Sequence, residues 1–248
     1  MIQTNTRFNP TTNGPLHIGH LYVALVNEHE AHRHGDKFIL RFDDNQFYHR
    51  WVTGGDIPSI CREMLDDLQW CGVHPDVVSS QSELQEKTER LLSKFGYHKR
   101  GVLRHHWTHA YLPETKSERM YPYVADYTAE KVIQDMIEGV SVLIRGVDLL
   151  SEFSLYNYFC DLWDIPIPKQ VFLPRLRLQG GVLSDVSKTL GNCKIRDYRG
   201  RGVSKEEVLT MLRTVCLKDI QGDWTIENVK NDPILQETPI RDNGEVIE

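Results

Sequence analysis

The sequence predicts an α/β fold on a parallel sheet, and three observations predict it. A short buried-looking segment (residues 3–8) stops at Asn9-Pro10. Residues 17–34 carry Ile18, Leu21, Leu25 and Val26 at helical spacing and end at Gly35. The compact apolar run KFILRF (37–42) then closes on Asp43 and Asp44. Strand, loop, helix and strand in that order make a βαβ unit, which implies parallel pairing.

The later elements follow the same logic. Residues 57–72 and 82–95 have amphipathic helical patterns. From Tyr97 to Tyr123 the period decays into His, Arg, Lys and Tyr, the composition of an insertion outside the sheet. Helical spacing returns at 128–137 and Gly139 stops it. VSVLIRG (140–146) reads as a strand, 151–164 as a helix and QVFLPRLRL (170–178) as another strand. QGGVLSDVSKTLGNCK (179–194) is a glycine- and serine-rich loop. In SKEEVLTMLRTVCL (204–217), Ser204 and Glu207 form a capping box that opens a last helix. The final thirty residues are polar and read as peripheral.

Composition narrows the setting. The chain has 248 residues, enough for one large domain or one with a sizeable insertion. A net charge of −6 does not point to a general nucleic-acid binder, so any RNA contact needs a local basic face. Candidates are Lys99, Arg100 and Arg104 with Trp107 and Tyr111, and the group Lys194, Arg196, Arg199 and Arg201. Each is equally a solvated charge run. The five cysteines are scattered, with no CxxC pair, which fits a reducing compartment. No segment has the length and apolarity of a membrane span or signal core. The expectation is a cytoplasmic protein that does not engage membranes.

Two stretches carry chemistry. RFNPTTNGPLHIGHLY (7–22) places a loop before a helix start, where unpaired N–H groups and partial positive charge suit a phosphate. Gly14 and Gly19 allow close approach. His17 and His20 share a helical face and can donate to phosphate oxygens. Equally, His17 can be a helix cap and His20 a half-buried polar residue. SDVSKTLGN (184–192) sets Lys188 among hydroxyl residues as a compact charge for a transferring phosphate, or as a solvated loop lysine.

Together, the PxxNGxLHIGH pattern near the start and VSKTLGN late in a βα domain resemble the paired signatures of class I aminoacyl-tRNA synthetases. The first signature is complete at His17-Ile18-Gly19-His20; in the second, Asp185 stands where the family has a lysine. RFNPTTNGPLHIGH with KFILRFDDNQ, VSVLIRGVDLLSE (140–152) and IRDYRGRGVSKEEVLTMLRTV (195–215) resemble the glutamyl/glutaminyl branch. The resemblance implies a Rossmann-like (HUP-type) parallel sheet with an inserted acceptor-side subdomain and a short helical C-terminal part. The expected division is 1–96 and 127–194 as catalytic halves, 97–126 as insertion and 195–248 as a helical segment without an anticodon-binding domain.

The resemblance also implies ATP as substrate, magnesium on its phosphates, and catalysis by His17, His20 and Lys188. ATP contacts would come from Asn13, Gly14, His17, Gly19, His20, Asp148, Ser187 and Lys188, with Val147 and Leu149 departing from the family around Asp148. Glutamate, or a similar acidic amino acid, would meet Arg7, Asp43, Tyr127 and Arg145. Such a ligand needs a cation for each carboxylate and an anion for its ammonium, and this set supplies them. Asp43 is one methylene shorter than the family's glutamate.

The truncated outline is similar to glutamyl-queuosine tRNA(Asp) synthetases. The acceptor is therefore a tRNA, at its 3′ end or a modified nucleoside, or a molecule that is not tRNA. A related nucleotidyltransferase and a non-catalytic relative are the competing readings. The cysteine zinc motif usual in that group is missing, and His98, His105, His106 and His109 stand in the insertion instead. No metal ligand is assigned; these histidines fit a zinc site less well than a solvated surface.

Overall fold

The computed structural model describes residues 5–44, 56–97, 121–173 and 194–216. Five parallel strands form one sheet: β1 (Asn5–Phe8), β2 (Phe38–Phe42), β3 (Val77–Ser80), β4 (Val140–Gly146) and β5 (Lys169–Leu173), in the order β3-β2-β1-β4-β5. The order reverses at β1, between β2 and β4, and the carboxyl ends beside such a switch point form a crevice for ligands. This Rossmann-like α/β sheet is the architecture expected from the βαβ pattern.

Strand alternation builds the two faces. Phe8, Phe38, Leu40, Phe42, Val142 and Ile144 pack on one side with α1 (Ile18–Arg33), α2 (Ile57–Trp70) and Val208 and Leu212 from a C-terminal helix. Ile39 and Leu143 turn to the other side, against α3 (Gln81–Lys94), α4 (Tyr121–Glu138) and α5 (Phe153–Leu162). A period of two therefore sends Arg7, Arg41 and Arg145, each beside a residue of the first face, toward the second. Three arginines from three neighbouring strands point under α4, and all three are buried.

Several boundaries differ from the sequence reading. α4 begins at Tyr121, seven residues before the first residue of clear helical period, so the run before Tyr127 is helix. A 3-10 helix, Val147–Glu152, precedes α5. The strand β3 was not expected. Its sequence VVSS is short, only partly buried and at the sheet edge, so it lacks an apolar signature. Its last residue, Ser80, caps α3 through a box with Glu83. The strand expected at 170–178 is β5 to Leu173, and 174–178 lie outside the described residues. The stop after α1 is as read: Gly35 takes φ +73°.

A short helix, α6 (Ile195–Gly200), opens the segment expected to be helical; it precedes α7 (Lys205–Cys216), which is capped by Ser204 and Glu207 as expected. α6 docks on α2 through Arg196–Glu63 at 3.1 Å and Arg199–Asp67 at 3.7 Å. Asp67 is 1% exposed, and neither carboxylate oxygen accepts a hydrogen bond among the described residues. Burial pushes its carboxyl up to about 6, against the pull of Arg199.

The sign follows from proton binding. Between the ordinary carboxyl range and pH 6 the folded state holds a proton that the unfolded state has lost, so stability falls as pH rises through this window. Asp67→Asn is expected to remove that slope. In urea titrations the variant gains about 1–3 kcal/mol over wild type at pH 7.5 and much less at pH 4. An equal difference at both pH values would show that Asp67 does not titrate in this range.

Candidate active site

The loop after β1 runs beside the end of β2. Asn9 donates to the Arg41 carbonyl at 2.8 Å, and the Asp43 N–H to the Pro10 carbonyl at 3.0 Å. Thr12 donates from both its N–H (3.1 Å) and its hydroxyl (3.0 Å) to the Asp43 carbonyl. Asn13 is half-buried in the turn that follows. Gly14 adopts φ +146°, a region that side chains rarely enter, and the chain then turns into α1.

His17 is the N-cap of α1. Its Nδ1 accepts from the N–H groups of Gly19 (3.1 Å) and His20 (3.4 Å), while His20 Nδ1 accepts from the His17 N–H at 3.3 Å. The rings stack with centroids 3.7 Å apart. A neutral imidazole that accepts at Nδ1 carries its proton on Nε2, so both histidines present that atom as the donor. The capping role and a phosphate-facing role are thus compatible: one nitrogen serves the helix and the other can serve a ligand.

The chain returns to this point from the far side. The Ile195 N–H donates to the Leu16 carbonyl at 3.0 Å, and Lys194 bridges His17. The segment containing Asp185, Ser187 and Lys188 lies outside the described residues, but its C-terminal end is anchored next to the histidine pair. Asp148 falls in the 3-10 helix at the carboxyl end of β4; its side chain lies outside the description.

Arg7, Asp43, Tyr127 and Arg145 gather on the second face, at the carboxyl side of the sheet. The Tyr127 hydroxyl donates to Asp43 Oδ2, and Thr11 donates to the same oxygen at 3.4 Å. Burial and the Asp43 carboxylate hold the Tyr127 phenol well above its ordinary range, so it remains a donor. Arg145 lies between the rings of Tyr156 (5.6 Å) and Phe172 (5.3 Å) and donates to Gln170, which Asn157 orients at 2.7 Å. Burial and the nearby Arg7 charge lower the Arg145 pKa, and its Nε has no hydrogen-bond partner among the described residues.

Arg7 is differently placed from the open carboxylate clamp expected. Its Nε and Nη2 are committed to Asp135, at 2.9 and 3.2 Å. Asp135 also receives Arg41 at 2.6 Å and the Tyr156 hydroxyl at 2.9 Å. Burial alone would raise the Asp135 pKa, but the two guanidinium groups hold it far below the carboxylate range. Arg41 continues to Glu138 at 2.7 Å.

The sequence reading missed Asp135, Lys131 and Glu152. Lys131 lies with its Nζ 3.9 Å from the Tyr127 ring centroid and 3.5 Å from Glu152. A signal existed: Tyr127, Lys131 and Asp135 recur every four residues on one helix face.

Of the expected RNA-facing groups, those in 98–120 and the insertion histidines lie outside the described residues. In the second group Arg196 and Arg199 pair with acids of α2, and Arg201 lies over the Tyr198 ring at 4.9 Å. Cys61, Cys71 and Cys160 are free thiols, and burial pushes them up to about 11, 12 and 12, so they are poor nucleophiles. Among the described residues no helix is long and apolar enough to cross a membrane.

The family model "tRNA synthetases class I (E and Q), catalytic domain" matches residues 3–122. Those residues, just under half of the chain, are similar to the catalytic domain of the class I tRNA synthetases of the E and Q type. Among curated relatives of this synthetase-like chain, glutamate–tRNA ligase 2 of Neorickettsia sennetsu is 25% identical over 229 residues, covering 84% of this chain and 54% of the relative. Two solved structures share the fold. The glutamate-tRNA synthetase of Elizabethkingia anophelis has TM-score 0.57 at 17% identity, covering 81% of this chain and 54% of that one. The tyrosyl-tRNA synthetase of Leishmania major has TM-score 0.61 at 16% identity, covering 99% and 44%. The chain spans 16% to 54% of the length of the first curated relatives it matches.

Asp135→Ala removes the shared partner of two buried arginines and is expected to cost about 3–5 kcal/mol at pH 7. Because the folded Asp135 pKa is depressed, its contribution is present above the ordinary carboxyl range and lost as pH falls through the folded value. The wild-type advantage in urea denaturation therefore shrinks below about pH 4. An advantage constant from pH 7 to pH 2.5 would contradict the ion-pair account.

Proposed function

We propose that the chain activates an acidic amino acid, glutamate, with ATP and passes it to an acceptor. The carrying observation is that one loop, residues 9–17, joins the capped His17/His20 helix start to Asp43 and so to the charged cluster. Two substrates of the expected chemistry would meet there. The glutamate α-carboxylate attacks the α-phosphorus of ATP in line; a P–O bond to pyrophosphate breaks and glutamyl-adenylate forms. No protein nucleophile is needed. Positioning and charge stabilisation carry the step, with the histidine Nε2–H groups and Lys188 donating to phosphate oxygens.

Asp43 accepts the ammonium group, with Tyr127 fixing its carboxylate. Among the described residues no group of three His, Cys, Asp or Glu side chains is placed to hold a metal. Magnesium typically binds one or two carboxylates together with substrate phosphates, so it enters this reading with ATP and would neutralise phosphate charge there. The acceptor is a tRNA, at its 3′ end or at a modified nucleoside such as queuosine. The commitment of Arg7 Nε and Nη2 to Asp135 favours one alternative, a related nucleotidyltransferase, because that reading needs no amino-acid carboxylate clamp at Arg7.

ATP–pyrophosphate exchange tests this directly. Glutamate is expected to support exchange above the other amino acids; exchange with none of them, with and without total tRNA, sinks the reading. Lys188→Ala should lower adenylate formation by about 10²-fold, the usual loss for a preorganised charge contact. Arg145→Ala should raise the KM for the amino acid by about tenfold while that for ATP stays within about threefold, as expected for a charged hydrogen bond to one ligand only. Equal losses for both ligands would remove Arg145 from the amino-acid site.

A further inference from the structure

The buried face of α1 carries an amide. Asn27 is fully buried, one turn after Ala24 and one turn before Ala31, which are also fully covered. A buried amide is costly unless hydrogen-bonded. Its Nδ2 donates to the Val23 carbonyl one turn back, at 2.8 Å, and to the Ile144 carbonyl of β4 at 3.1 Å. Both neighbours are carbonyls, which only accept, so they dictate which way the amide points. Its Oδ1 has no hydrogen-bond partner among the described residues, so the side chain serves here through its donors. β1 completes the arrangement: the buried Thr6 hydroxyl donates to the Asn27 backbone carbonyl at 2.7 Å.

This pin sits at an irregular place in the sheet. The ladder between β1 and β4 pairs Asn5 with Val140 and Thr6 with Val142, and its register shifts between the two. At and beyond Thr6 a second link between the strands runs through α1. Each residue it grips precedes an arginine of the charged cluster: Thr6 is followed by Arg7, and Ile144 by Arg145. Strand alternation then sends those arginines to the opposite face. α1 itself starts at the His17/His20 pair, roughly 15 Å from Asn27 along the helix axis. One residue therefore fixes two arginine-bearing strands against the helix that presents the histidines.

Resting on the glutamate-activation reading above, we propose that Asn27 is a positioning residue: by holding Thr6 and Ile144 to α1 it sets the separation between the histidine pair and the arginine cluster, and so between two bound substrates. It lies on the first face of the sheet and touches neither ligand. Its loss is felt in the step that joins the substrates and not in the binding of either alone. Misplacing reacting groups by even about 1 Å can cost roughly 10²-fold in rate.

The test compares wild type, Asn27→Leu and Thr6→Val, each checked for folding by circular dichroism. Leucine keeps the branched shape and removes both donors; valine keeps the shape of threonine and removes the hydroxyl. The readouts are calorimetric binding of ATP and of glutamate, each alone, and pyrophosphate exchange per calorimetric binding site. In Asn27→Leu both Kd values are expected to stay within about threefold of wild type while kcat for exchange falls about 10- to 100-fold. Thr6→Val, which keeps the amide, should lower kcat by about three- to tenfold. A merely structural role gives fewer binding sites and an unchanged rate per site, and that result overturns the proposal. So does an Asn27→Leu protein that loses affinity for both ligands. Where Asn27→Leu does not fold, Thr6→Val decides, and a full rate per site there overturns the proposal. A wild type that binds neither ligand and supports no exchange overturns the activation reading and this one together; an active wild type beside an equally fast Asn27→Leu overturns this one alone.

Discussion

Asp135 is where the two halves of the sheet and the helices above it are tied. From the last turn of α4 it accepts hydrogen bonds from Arg7 of β1, Arg41 of β2 and Tyr156 of α5. Buried charges are costly unless paired and fully hydrogen-bonded. Here strand alternation sends arginines under α4 whatever else the chain does, so a carboxylate at this height on α4 is the condition for closing the second face. The network continues through Arg41 to Glu138, which also receives the Ser79 hydroxyl from β3. One chain of ion pairs and hydrogen bonds thus reaches from β1 to the edge strand beneath α4.

That arrangement explains what was legible in the sequence. Strands with a two-sided apolar environment announce themselves as compact runs, as in KFILRF and VSVLIRG, because both faces must be covered. The edge strand Val77–Ser80 is only partly buried, and nothing in VVSS separates it from a turn. α6 is too short to show a period. The first turns of α4 were missed because Tyr121, Pro122 and Tyr123 follow a long polar stretch and form no apolar stripe.

The site was legible to the extent that its chemistry coincides with recognisable spacing. Arg7, Asp43, Tyr127 and Arg145 do meet on one face, and the histidine pair does open a helix. The partners were hidden for a physical reason. Lys131, Asp135 and Glu138 look like the solvated face of an amphipathic helix, since helical patterning treats charged residues as outward. Only the three strand arginines reverse that inference, and their common direction depends on register between strands, which a linear pattern does not contain.

The loop from Asn9 to His17 then acquires a mechanical meaning. At one end Pro10 and Thr12 grip the backbone of Asp43, whose carboxylate faces Tyr127. At the other, Leu16 and His17 hold the backbone of Lys194 and Ile195, the exit of the lysine-bearing segment. Between them Gly14 supplies a backbone angle of +146°, and a Cβ there would meet no atom within 4 Å, so the demand for glycine is set by the dihedral and not by space. The loop is therefore a short, hydrogen-bonded strut between an acid that can orient an ammonium group and a helix start that can receive phosphate. Each end of the loop is pinned by backbone hydrogen bonds, to Asp43 on one side and to Ile195 on the other, so the short connection couples their positions. Positional coupling of that kind is what a reaction joining two separately bound substrates requires, since a displacement of even about 1 Å between reacting groups can cost roughly 10²-fold in rate.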